Sequence, residues 1–200
     1  MMKVKMWLMS CLSVLTLSGF GQKTPKNIPV EVVVNIVAHS NDKNLILYNT
    51  DRQLNIPDFA GRPDGSSQGV AATYSGIQME MKGLVKDNRM QLTVSLMVYF
   101  DKSKSWAKKE GKNERVLAHE QNHFDLTAIK ACELAQSISN TDYKSEKAME
   151  QIREQQRKYT RELNELQVQY DRETKHGVLN EQQAAWAKRI AENLNAVNCF

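Results

Sequence analysis

Asn113-Glu114-Arg115-Val116-Leu117-Ala118-His119-Glu120-Gln121-Asn122-His123-Phe124-Asp125-Leu126 is the stretch on which the fold turns. Asn113 suits a helix N-cap, and the pattern after it predicts a helix running to about Ser137. Inside it stands an H-E-x-x-H motif, His119 to His123. Residues four apart on a helix are neighbours, so both imidazoles leave one face and can hold a single zinc ion. Glu120 is turned about 100° from His119, on the flank nearer His123, where a carboxylate can act as base toward a water that zinc has acidified. The competing view is chance, two histidines flanking a glutamate on a solvated helix. Only four histidines occur in the chain, and two of them fall in this motif.

Upstream, the pattern is extended. Val30–Ala38 is rich in β-branched residues, and Asn44–Tyr48 is a short second candidate strand. Asp51–Gly69 reads as a loop on its prolines and glycines. Apolar residues alternate with polar ones over Thr73–Lys82 and again over Met90–Phe100. Lys86-Asp87-Asn88-Arg89 lies between them as a turn, so the two runs predict an antiparallel hairpin. The strand Met90–Phe100 is a candidate for pairing with an extended substrate by strand addition.

Downstream, a second helix is expected from about Thr141 to His176. Its narrow stripe is Met149, Ile152, Gln156, Tyr159, Leu163, Leu166 and Tyr170, suited to packing on one neighbour. Gly177 is placed to end it. Asn180 and Gln183 resemble a capping box for a last helix bearing Trp186, Ile190, Leu194 and Val197. A catalytic zinc takes three protein ligands, so two histidines leave the site short. Tyr170-Asp171-Arg172-Glu173-Thr174-Lys175-His176-Gly177 is rich in metal-competent side chains. Continuing the stripe puts Glu173 at the next seam position, and His176 follows on the adjoining flank. His176 is thus the expected third ligand, with Glu173 or Asp171 as substitute or supporting partner. Asp125 and Cys132 sit about 180–200° around the helix from His123 and are excluded. His39 reads as an ordinary loop or strand-end histidine.

The chain begins with a short basic segment, an apolar run over Met6–Phe20, and small residues at Gly19 and Gly21. This is the pattern of a signal peptide over 1–21, so an exported protein, periplasmic or extracellular, is expected. The apolar run is short against the ~20 residues that span a bilayer, and no membrane span is expected in the remainder, 22–200, read as one domain. The 200 residues carry a formal charge of +4, or +2 once Lys3 and Lys5 are removed, which gives no case for a nucleic-acid partner. Cys132 and Cys199 then remain, as a disulfide or as two thiols or metal ligands. Composition leaves the oligomeric state open.

The segments 119–126 and 170–177 together resemble the bacterial Domain of Unknown Function 922 family, described as predicted secreted zinc-dependent proteases. Pro57–Asp64, Thr73–Gly76 and Tyr99–Trp106 resemble it too, so the likeness spans about Ile28 to Trp186. It implies that His119 and His123 bind zinc, that Glu120 is the catalytic carboxylate and that His176 is the third ligand. The expectation is therefore an α+β, zincin-like domain: an antiparallel β portion, the H-E-x-x-H helix, a long second helix and a C-terminal helix. Its expected function is zinc-dependent hydrolysis of a peptide or protein substrate with Glu120 as general base, and Tyr170 is a candidate for stabilising the oxyanion. The rival is a non-catalytic zinc-binding envelope protein in which the metal clamps two helices. A third possibility is a metal-free module that docks partners on its long polar helix.

Overall fold

The computed structural model describes residues 26–197, 199 and 200, so the expected signal peptide lies outside the described residues. The fold is α+β. Its centre is the predicted hairpin, β1 to β6 and α1 to α3 being numbered along the chain. Strand β4 (Ser75–Lys86) pairs antiparallel with β5 (Arg89–Asp101) through a two-residue turn. Asp87 and Asn88 at that turn have φ of 50° and 56°, the left-handed pair that matches the twist of a two-residue hairpin.

The opposite edge of β5 is also occupied. Strand β1 (Val30–Ile36) pairs with residues 90–96 of β5, and β2 (Leu45–Leu47) pairs with residues 99–101. Two expectations change here. Pairing of β1 with β5 is parallel, so the β portion is mixed rather than antiparallel. Strand β5 has neighbours on both edges, which leaves it no edge for a substrate strand. Burial alternates along β5, as in a sheet covered on one face: Leu92, Val94, Leu96, Val98 and Phe100 are at most 1% exposed, while Thr93, Ser95, Met97 and Tyr99 between them are only half-buried. A separate ribbon pairs β3 (Ala71–Ala72) with β6 (Trp106–Ala107).

Helix α1 (Glu114–Ser139) starts as expected, with Asn113 Oδ1 accepting from Val116 N at 3.1 Å. It touches β1, β4 and β5 on one side and α2 and α3 on the other. Burial on both sides explains why Phe124, Leu126, Ile129, Leu134 and Ile138 are all buried although they do not share one stripe. Each such side chain contributes about 1.5–3 kcal/mol on removal from water.

Helix α2 (Ala148–Thr174) begins seven residues later than expected from Thr141. Side chains near its start favour a turn instead: Thr141 Oγ1 donates to Ser137 O and Tyr143 OH to Ile138 O, which caps α1. The predicted stripe packs, with Ile152, Leu163 and Tyr170 buried. It continues through Thr174, which is fully buried, and not through Glu173. Helix α3 (Asn180–Val197) closes the chain, burying Trp186 and Ile190. Cys132 of α1 is bridged to Cys199 with Cα atoms 5.8 Å apart, tying the C-terminus to the central helix. No described helix is long and apolar enough to cross a membrane.

Candidate metal centre

His119 and His123 lie one turn apart on α1 and aim their Nε2 atoms at each other across 3.2 Å. Asp171, in the last turn of α2, completes a triangle. Its Oδ1 is 3.1 Å from His119 Nε2 and 3.0 Å from His123 Nε2. Four ligands at zinc–nitrogen distances of about 2.0–2.1 Å in a tetrahedron lie about 3.3 Å from one another. Three ligand-competent atoms at nearly that spacing, all from groups that bind divalent cations, fit such an ion. Among the described residues, these three form the cluster able to hold one metal.

Burial and charge agree. Asp171 is buried enough to be pushed up, but hydrogen bonds from both histidines and the charges of His123 and His176 hold its carboxyl well below the usual range. Burial alone lowers His123, yet its hydrogen bond and attraction to Asp171 outweigh this and raise it to about 9.

Glu120 is 5% exposed, and its Oε2 is buried with no hydrogen-bond partner. A carboxylate oxygen left in that state is costly unless water or a cation meets it. Glu120 lines a cleft of about 290 Å³ together with His119, His123, Asp171 and His176. Chain 69–73 also lines the cleft and includes β3, which pairs only with β6 among the described residues. Thr73 Oγ1 donates to Glu120 O at 3.2 Å and fixes that segment to α1.

Other expected site residues are placed differently. His176 is on the rim with its side chain 75% exposed, its Nδ1 3.4 Å from Asp171 Oδ1. Helix α2 ends at Thr174, and Lys175, His176 and Gly177 then take positive φ of 47°, 52° and 75°, which carries His176 off the helix face. Glu173 is about 200° around the helix from Asp171 and points to α3. There it accepts from Trp186 Nε1 at 2.8 Å and lies 3.7 Å from Arg189. Tyr170 is fully buried; its hydroxyl accepts from Gln183 Nε2 and Asn122 Nδ2, and its ring stacks on His119 at 4.7 Å. The structure therefore gives Tyr170 contacts beneath the histidines, and its hydroxyl does not line the cleft. Burial raises its ionisation well above the ordinary value, partly countered by those two donors.

Asp125 accepts from Tyr48 OH and Gln121 Nε2, a structural role as expected. His39 is an exposed loop residue. Sequence reasoning missed Gln167 and Gln183, whose side-chain oxygens meet the Nδ1 atoms of His123 and His119. The capping box expected of Gln183 does not form, because its amide is spent on His119 and Tyr170. Gln167 lies four residues before Asp171, and that spacing on one helix face was the available signal.

Residues 89–177 match the family model described as bacterial protein of unknown function (DUF922). The matched stretch runs from β5 through α1 and α2 to Gly177, and so includes both histidines, Glu120 and Asp171. No curated protein and no solved structure matches the chain.

Proposed function

We propose that the chain is a zinc-dependent peptidase of zincin-like design, exported from the cell, with His119, His123 and Asp171 as ligands. The observation that carries this reading is the open side of the cluster. Three metal-competent side chains converge at a cleft that Glu120 also lines, with its Oε2 buried and unpartnered. Structural zinc sites are closed by four protein ligands, whereas catalytic ones keep a position for solvent or substrate. The clamp reading needs a fourth protein donor. Glu173 is bonded to Trp186, and the His176 side chain is 75% exposed on the rim, so neither closes the site.

When bound, zinc supplies Lewis acidity to the oxygen atoms it meets. The protein's own groups do the remainder. Glu120 accepts the proton of the attacking water and passes it to the leaving amine nitrogen, the general base and acid step of amide hydrolysis. A peptide lying extended in the cleft pairs its main chain with chain 69–73, the edge that β5 does not offer. Ala71, Ala72, Val116 and Leu163 present short or apolar surfaces to its side chains.

The test is Glu120→Gln, with digestion of a denatured-protein mixture read by mass spectrometry beside zinc content. The variant is expected to keep about one zinc per chain and to lose activity about 10²–10⁴-fold. Full activity in this variant would sink the mechanism, and a wild type that binds zinc but cleaves nothing would favour the clamp.

A further inference from the structure

Each metal-facing histidine is gripped from behind by a glutamine outside the motif. His123 Nδ1 meets Oε1 of Gln167 on α2, and His119 Nδ1 meets Oε1 of Gln183 on α3 at 3.1 Å. Both amide nitrogens are committed elsewhere. Gln167 Nε2 donates to His123 O at 2.9 Å, and Gln183 Nε2 donates to Tyr170 OH at 2.6 Å. Flipping the Gln167 amide would set its oxygen against the His123 carbonyl oxygen, and flipping that of Gln183 would take the Tyr170 hydroxyl proton from His119 O, so the oxygens face the rings.

A carbonyl oxygen only accepts, so each Nδ1 carries a hydrogen and donates it. A neutral imidazole with hydrogen on Nδ1 has its lone pair on Nε2. Those are the two atoms that converge with Asp171 Oδ1. We infer that Gln167 and Gln183 are positioning residues that lock both histidines as Nδ1–H tautomers and present Nε2 to a divalent cation. Helix α3 is then part of the metal centre, although it lies beyond residue 177, where the family match ends. The choice of amide has a charge consequence. A carboxylate would orient the ring equally well and add a negative charge, whereas an amide leaves the acidic side chains of the site to Asp171 and Glu120, matched against a dication. This inference rests on the metal reading proposed above.

The test compares Gln167→Met and Gln183→Met, which remove the acceptor at similar volume, with Gln167→Glu and Gln183→Glu, which retain it. Zinc affinity of the full chain is measured by competition with a chromophoric chelator. The Met variants are expected to bind about 10–100-fold more weakly and the Glu variants close to wild type. Long-range 1H–15N spectra of the metal-free protein at alkaline pH, where imidazole is neutral, read the tautomer directly, with Asp171→Ala introduced into wild type and variants alike to remove the competing acceptor at Nε2. Wild type and Glu variants are expected to show Nδ1–H at both rings, and each Met variant a mixture at the ring it serves. Equal losses in Glu and Met variants, tracking melting temperature, would reduce the glutamines to packing and overturn the inference. Nε2–H imidazoles in the wild type would overturn it too. Nδ1–H imidazoles in a wild type that takes up no zinc would refute the metal centre yet uphold the positioning role.

Discussion

Replacing Gly177 by alanine is expected to damage the metal centre through the backbone. Gly177 has φ of +75°, a conformation that costs an L-residue about 1–2 kcal/mol. A Cβ built there falls 3.0 Å from both Cβ and Cγ of His119 and 3.1 Å from its Nδ1. The histidine has little room to retreat. Its ring stacks on Tyr170 at 4.7 Å, and its nitrogens are held by Gln183 and Asp171. Overpacking of this kind adds about 1–3 kcal/mol, so the two terms together predict a loss of about 2–5 kcal/mol. Urea unfolding of the metal-free protein measures it. Displacing His119 by a few tenths of an ångström should also weaken zinc binding about tenfold or more, since sites tolerate only about 0.5 Å of misplacement. Gly65→Ala is the control, because a Cβ there meets nothing within 4 Å. Unchanged stability in Gly177→Ala would refute the backbone argument. Lost stability with wild-type zinc affinity would refute the link to His119.

The identity of the third ligand gives a second prediction: Asp171→Asn should lose zinc by equilibrium dialysis, while His176→Ala, its side chain 75% exposed, should retain most of it. The reverse order would restore the histidine as ligand. A third concerns the Cys132–Cys199 bridge, which joins residues 67 apart. Loop-closure entropy for that span predicts that Cys132→Ser costs about 4 kcal/mol, measurable by urea unfolding, and no shift would show that the bridge constrains nothing. A fourth is the pH dependence of the metal-free protein. His123 is raised to about 9 in the folded state, so its contribution is fully present below about 6.5 and is lost as pH rises through 9. Asp171 is lowered, so its contribution is present above the ordinary aspartate value of about 3.9 and fails in acid. Thermal melting of the chelator-treated protein should therefore be highest between these limits, and a melting temperature still rising above pH 9 would contradict the pairing.

What the sequence made legible was local. The Asn113 cap, the motif on one face of α1 and the Asp87-Asn88 turn each depend on residues within a few positions of one another, where helical and strand periodicities hold. Parallel pairing of β1 with β5 depends on residues about sixty apart, and no local pattern encodes it. The third ligand failed to resolve for a related reason. Periodicity places a side chain only while the helix lasts, and α2 stops at Thr174. Asp171, still inside the helix, stays on the face that meets α1. His176 lies within the left-handed run 175–177 and leaves that face, while Glu173, in phase with α3, is drawn to Trp186. Gln183 illustrates the same limit from the other side. Asn180-x-x-Gln183 has the local form of a cap, yet a capping bond is worth only about 1 kcal/mol. A buried His119 Nδ1–H without an acceptor would cost about 1–3 kcal/mol, so the tertiary partner outcompetes the local one. The two histidines on one face of α1 were legible because their spacing follows the helix. Their glutamine partners were not, because Gln167 and Gln183 come from two other helices, α2 and α3.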